Sequence, residues 1–492
     1  MSALRASSAL FISNTVALGL QFVVVGCYSR RLDDRGLADY QVVLAIANAV
    51  VPLLTCGLND ALSFLLGRKY DTPREAQGLV LQSVLFLSVS TMMLALIAVL
   101  FPEWASRLAF TQDNKMGLVQ AMLLFMFSRS LFDFQCRYLL ARKQIWIPAL
   151  SMVLIPGVIP LVVLWIDPTH SLERLLIESS ILTLILLALP SWHEYRRYAH
   201  IGSVPMSLES MCYLLKLGIP RVPTILGMSL LVSCQVFLAC KMDCTVEEQV
   251  IIGSAMMIVR TLAMAQRVVT SIVEPQIGWI SRDRPEVLPI LLRTLILATI
   301  AVGVGATATL LATGDTILRI WIKRPEMQIG FLGMFFWISA FPFTLLFVLR
   351  PCVNALSPRA YNTANMFQAL IGMAVVLLVA YSVSFPPALA IGFATLLSAS
   401  LIAFFSLLTV QKLVRVYTRS TLLNAKTLVF AGCSACLLAL GLWGAPEGET
   451  LTPRSLAVLV LVGTGVLLYL GIIGHRALHA YREETGRIIE LK

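Results

Sequence analysis

The sequence predicts an all-α polytopic membrane protein of about fourteen transmembrane helices. Three observations carry that class. The 492 residues are 58% hydrophobic and only 13% charged, with a mean hydropathy of +0.83. A soluble domain carries about a quarter charged residues. Apolar runs of spanning length recur along the chain, and the connections between them are short. A membrane helix needs about twenty mostly apolar residues to cross the hydrocarbon core.

The first six runs are Ala6–Tyr28, Asp39–Leu66, Gly78–Leu100, Gly117–Leu139, Ile147–Ile166 and Leu172–Leu189. Arg5 precedes the first, which is longer than a signal-peptide core and is expected to be a membrane helix. The next six are Leu214–Leu238, Val250–Val273, Val287–Leu311, Ile329–Leu349, Ala364–Val383 and Ala388–Val410. Two shorter runs follow, Thr427–Trp443 and Leu456–Ile473. The longest connection, SWHEYRRYAHIGSVPMSLES, separates the first six runs from the second six. The expected organisation is therefore a lobe over 1–190, a cytosolic linker over 191–213, a second lobe over 214–410, two extra helices over 411–473 and a cytosolic tail over 474–492.

Loop charge sets the expected orientation. With the N-terminus inside, the cytosolic segments hold Arg68, Lys69 and Arg74, then Arg142, Lys143, Arg196, Arg197, Arg282, Arg284, Lys412, Arg415 and Arg419, together with the basic tail. They carry the larger share of the Lys and Arg, as the positive-inside rule requires. The turn SRRLDDRGLADY runs against this, with Arg30, Arg31 and Arg35 on the outer side. The net charge of +11 is read as this loop excess facing an anionic bilayer surface, with no nucleic-acid partner.

An ionised side chain at mid-membrane costs roughly 2.5–3.5 kcal/mol on insertion scales. Such residues need a partner or a wet cavity. Arg260, Arg267 and Glu274 recur every seven residues on the eighth run and share one face. They form a polar stripe toward a water-filled path, unless Arg267 snorkels to the interface. On the seventh run Arg221 sits between Pro220 and Pro223, where missing donors let a helix bend. It faces either a cavity or headgroups. Ser7, Asn14 and Gln21 align on the first run, and Asn48, Pro52, Thr55 and Asn59 on the second. Such lines serve a cavity or bridge packed helices. On the fourth run Arg129, Asp133 and Arg137 are spaced for an ion pair or for ion coupling; Asp60 and Glu178 are further carboxylates within spans.

The ten cysteines show no metal or disulfide spacing, and Cys433 and Cys436 fall inside an apolar run. His475 and His479 at i, i+4 are read as a solvated face. With no nucleotide loop, nucleophile motif or metal cluster, neither an enzyme active site nor a cofactor is expected.

Several segments resemble the polysaccharide transporter (Wzx-type) branch of the multidrug/oligosaccharidyl-lipid/polysaccharide exporter superfamily. The opening SNTVALGLQFVVVGCYSRRLDDRGLADYQVVLAIANAVVPLLTCGLNDAL is similar to the family's first two helices, although Asp33–Asp34 stands where the family often has a Leu-Gly step. LLKLGIPRVPT resembles the start of the family's second lobe, VVTSIVEPQIGWIS the end of its eighth helix, and LRPCVNALSPRAYN its turn after the tenth. The resemblance implies two six-helix lobes facing each other as a V, plus two C-terminal helices. It implies a path walled by the first, second, seventh and eighth helices. It further implies a flippase in the bacterial inner membrane, with both termini cytosolic, moving an undecaprenyl-diphosphate-linked glycan within membrane lipid. Polymerase and chain-length proteins of the same pathway are expected partners. On that path Arg221, Arg260 and Arg267 suit a diphosphate, and Asn14, Gln21, Asn48 and Asn59 suit sugar hydroxyls. The alternatives are a cation-coupled multidrug exporter, which calls for cavity carboxylates, and a membrane glycan polymerase or ligase, which calls for a large outer loop.

Overall fold

The computed structural model describes residues 3–58, 61–62, 73–110, 115–141, 144, 146–166, 171–198, 208–324, 327, 329–357, 361–382 and 385–418. The two expected extra helices, the tail, Asn59 and Asp60 lie outside the described residues. Every regular element among those described is helical. Ten helical stretches among the described residues are long and apolar enough to cross a membrane. Packing divides the chain into two compact units, Met1–Gly253 and Ser254–Lys492.

The first unit opens with α1 (Ala3–Arg31) and α2 (Asp34–Leu54). Asp33 caps α2: its carboxylate accepts the Gly36 amide at 2.8 Å, satisfying one of the helix's orphan donors. The second run was expected to continue to Leu66. Instead α2 stops at Leu54, because Cys56 and Gly57 adopt left-handed backbone conformations that a helix does not accommodate. Next come α3 (Pro73–Leu100), the short α4 (Pro102–Phe110) and α5 (Met116–Ala141).

The fifth run is two helices, α6 (Trp146–Val153) and α7 (Ile159–Ile166), joined by a π turn over Leu154–Val158. Pro156 supplies no amide there, and the wider turn absorbs the missing bond. Gly157 in this turn lets Leu20 of α1 approach so closely that a Cβ would sit 2.7 Å from it. Helix α8 (Leu172–Tyr198) runs eight residues into the stretch expected to be linker. Gln135 of α5 donates to both Leu187 O and Ser191 Oγ at 3.0 Å, tying the Pro190 turn of α8 to α5. Arg196 covers the Trp192 ring at 4.8 Å. The seventh run divides where Pro220 and Pro223 require: α9 (Leu208–Gly218), a 3-10 turn over Ile219–Arg221, then α10 (Val222–Lys241).

Helix α11 (Val246–Asp283) belongs to both units. Its start is a capping box: the Glu248 carboxylate accepts from the Thr245 amide at 2.8 Å, and Thr245 Oγ1 accepts the Glu248 amide at 3.2 Å. The second unit continues with α12 (Leu288–Ile322), α13 (Gly330–Leu356), α14 (Tyr361–Ser382) and α15 (Pro387–Thr418). Along α12, Leu288, Leu292, Ile296, Ile300 and Val304 recur every fourth residue, so they form one buried stripe. The stripe packs on α13 through Leu345, Leu349 and Val353, and on α15 through Val410 and Val414.

Candidate functional site

In the first unit the polar line of α2 meets α10. Asn48 Nδ2 donates to Ser233 Oγ at 3.2 Å across the helix pair. Seven residues toward the start of α2, Gln41 is buried, and its side-chain carbonyl rests on the place where Gly253 of α11 would carry a Cβ. At the far end of α2, Gly57 and Gly218 pack backbone to backbone. A Cβ on Gly218 would lie 2.5 Å from Cys56 O, and one on Gly57 would strike Gly218 O. Helix α10 thus packs on α2 through the Asn48–Ser233 bond, while the end of α9 and the start of α11 meet the α2 segment at glycines that leave no room for side chains.

The sequence-derived site residues divide between the units. Asn14 and Gln21 lie on the unbroken α1, with Gln21 half-buried. Arg221 falls in the 3-10 turn. Helix α11 is continuous through 260, 267 and 274, so those positions follow one side of its backbone. Arg260 is half-buried. The side chains of Asn14, Arg221, Arg267 and Glu274 lie outside the described residues. Arg129 and Asp133 are both half-buried on α5.

Two polar clusters were missed in the sequence. The first joins α1, α2, α5 and α8. Tyr28 and Tyr40 meet edge to face at 4.7 Å between ring centroids. Both are buried, with Ser179 of α8 beside Tyr28 and Arg129 of α5 close enough to Tyr40 to act on it electrostatically. Beside it, Asp39 of α2 pairs with Lys115 and, at 3.9 Å, with Arg35. The available signal was the two tyrosines flanking one charged turn: a helical hairpin brings such residues level.

The second cluster is in the second unit. The ninth run was expected to end at Leu311, but α12 continues to Ile322 and takes Asp315 with it. Trp337 Nε1 of α13 donates to Asp315 Oδ1 at 2.8 Å. Gly314 lies under the indole, where a Cβ would be 2.6 Å away, and Gly333 faces the same carboxylate. Arg319, one turn further, acts on Asp315 electrostatically. The signal was the sequence TILRIWI directly after Asp315, apolar but for Thr316 and Arg319.

No family model and no curated protein matches this chain. Solved structures do. A lipid II flippase, MurJ, in an inward closed conformation superposes with a TM-score of 0.67 at 13% identity, covering 97% of this chain and 100% of that one. A multidrug resistance MATE family transporter of the MOP superfamily in an inward-facing conformation gives 0.59 at 12% identity, over 82% of this chain and 96% of that one. The eukaryotic MATE transporter AtDTX14 gives 0.55 at 13%, over 84% and 96%. The chain has the fold that these two groups of transporters share.

Proposed function

We propose that this protein is a flippase that carries a polyprenyl-diphosphate-linked oligosaccharide from the cytosolic to the periplasmic leaflet, for surface polysaccharide synthesis. The observation that carries the reading is the likeness to the lipid II flippase, which extends over the whole of that chain and nearly all of this one. The register of Arg260 and Arg267 on α11 supports an anionic cargo, since two guanidiniums on one face suit a diphosphate. Polar side chains on α1 and α2 suit sugars. Alternating access of two repeats around a mid-membrane site is the transport mode expected of such a fold. In this reading the protein resides in the bacterial inner membrane with both termini cytosolic, catalyses no bond change, and works beside polymerase and chain-length proteins.

A cation-coupled drug exporter is the second reading, favoured by the likeness to MATE transporters. Replacing Arg260 with Ala separates the two in cells. Under the flippase reading the variant loses surface glycan at unchanged protein level. Full surface glycan in that variant removes Arg260 from the mechanism, and drug sensitivity in a deletion strain with intact glycan supports the exporter.

A further inference from the structure

We propose that Asp315 is a proton-binding site, and that its protonation loosens the link between α12 and α13 at that end of the second unit. Nothing in the flippase reading required a carboxylate here.

The setting begins with length. Helix α12 has 35 residues, which is about 52 Å at 1.5 Å per residue. The hydrocarbon core is only about 30 Å thick, so the ends of α12 reach the interfaces. Asp315 lies seven residues before the C-terminus of α12, about 10 Å along the axis. A half-buried carboxylate at that depth is within reach of protons from water but is held by protein. Trp337 Nε1 donates a hydrogen bond to it at 2.8 Å. The contact is built rather than incidental. Gly314 and Gly333 leave the room that lets the indole lie against α12 and point its N–H at the carboxylate.

The surrounding charge favours a titrating group that does useful work. Among the described residues, the charged side chains at this end of the unit are Arg319, Lys323 and Arg324, all basic. The other charged groups on the elements packed against α12 are remote. Glu286 and Arg293 lie at the opposite end of α12, and Arg350 is 13 residues beyond Trp337, about 20 Å along α13. Lys412 and Arg415 are further along α15 from Phe393, which contacts Phe335 of α13. Asp315 is therefore the single acidic group among described residues at a basic helix end.

The step is a simple proton transfer. A hydronium ion gives its proton to a carboxylate oxygen, and water leaves. The Trp337 bond then falls from charge-assisted to neutral, roughly halving its strength. Arg319 loses its counter-charge at the same moment. The α12–α13 contact weakens at this end, and the end becomes more positive. Coupling of this event to transport rests on the flippase reading; the proton site itself does not.

The test uses the full-length protein in lipid nanodiscs. Intrinsic tryptophan emission is titrated between pH 4 and 9 for the wild type and for Asp315→Asn, which keeps an acceptor for Trp337 but cannot ionise. A proton site predicts a single titration step in the wild type that is absent in Asp315→Asn. Trp337→Phe must also lose the step, and it serves as the second variant should Asp315→Asn fail to fold. Identical titrations in all three proteins overturn the proposal. Repeating the wild-type titration with and without sodium separates a proton from a metal cation: a step that moves with sodium overturns the proton assignment. If the step is confirmed but the pH dependence of glycan flipping is the same in wild type and Asp315→Asn, the site stands and its coupling to transport falls.

Discussion

Asn48 on α2 and Ser233 on α10 share a hydrogen bond of 3.2 Å between residues 185 positions apart in the chain. It sits between the Gln41–Gly253 contact at one end of α2 and the Gly57–Gly218 contact at the other. In lipid, helices gain little from apolar burial, so close backbone approach and interhelical hydrogen bonds hold them together. The end of α9, helix α10 and the start of α11 are thereby packed on the α2 segment within the first compact unit.

The bond is worth a modest amount. Replacing Asn48 or Ser233 with Ala should cost about 0.6–1.7 kcal/mol each. The double variant should cost no more than the larger single loss, because the two side chains act through one bond. Thermal unfolding in nanodiscs measures both; strictly additive losses would show that the bond is not formed.

The glycine contact is far less tolerant. Gly218→Ala places a Cβ 2.5 Å from Cys56 O, and Gly57→Ala adds a left-handed backbone at φ +69°. Overpacking of this kind costs about 1–3 kcal/mol, so either variant should be visibly destabilised. Gly19→Ala, with open space around it, is the control and should be neutral or slightly stabilising. Equal melting of all three variants would refute the backbone contact.

How much of this was legible in the sequence follows from the solvent. A span must be about twenty apolar residues whatever it packs against, so the first twelve runs each appear as helix. Breaks were legible only where proline forced them, as at Pro220 and Pro223. The stop after Leu54 depends on Gly57 meeting Gly218, a partner 161 positions away that no local pattern reveals. Facing was hidden too. Lipid and core are equally apolar, so periodicity does not separate the inward side of α2 or α12 from the outward side. The Tyr28–Tyr40 pair was missed for that reason, and the Asp315–Trp337 pair because the ninth run was expected to end at Leu311. The polar stripes were visible because charge and amide stand out in such helices. Yet Asn48 is now seen to bridge helices, the second of the two uses open to it.

Thiol chemistry offers a check between the spans. Burial, followed by Glu248, Asp243 and Cys240, pushes the Cys244 thiol up to about 12. The folded value is above the ordinary thiol value, so the associated stability is present at neutral pH and is lost progressively as pH rises from the ordinary thiol value to about 12. Cys244 should resist maleimide at pH 7.5 until the protein unfolds, whereas exposed Cys212 should react at once. Peptide mapping by mass spectrometry reads both; rapid native labelling of Cys244 would contradict its burial.

Reconstitution identifies the cargo. The purified protein is placed in proteoliposomes carrying an undecaprenyl-diphosphate-linked oligosaccharide labelled on the sugar. Access of an external lectin or glycosidase then reports its transfer between leaflets. A flippase gives transfer by the wild type well above empty liposomes, and loss of most of it in Arg260→Ala at unchanged folding. No transfer of any such lipid, together with ion-driven uptake of a lipophilic cation in the same vesicles, would contradict it.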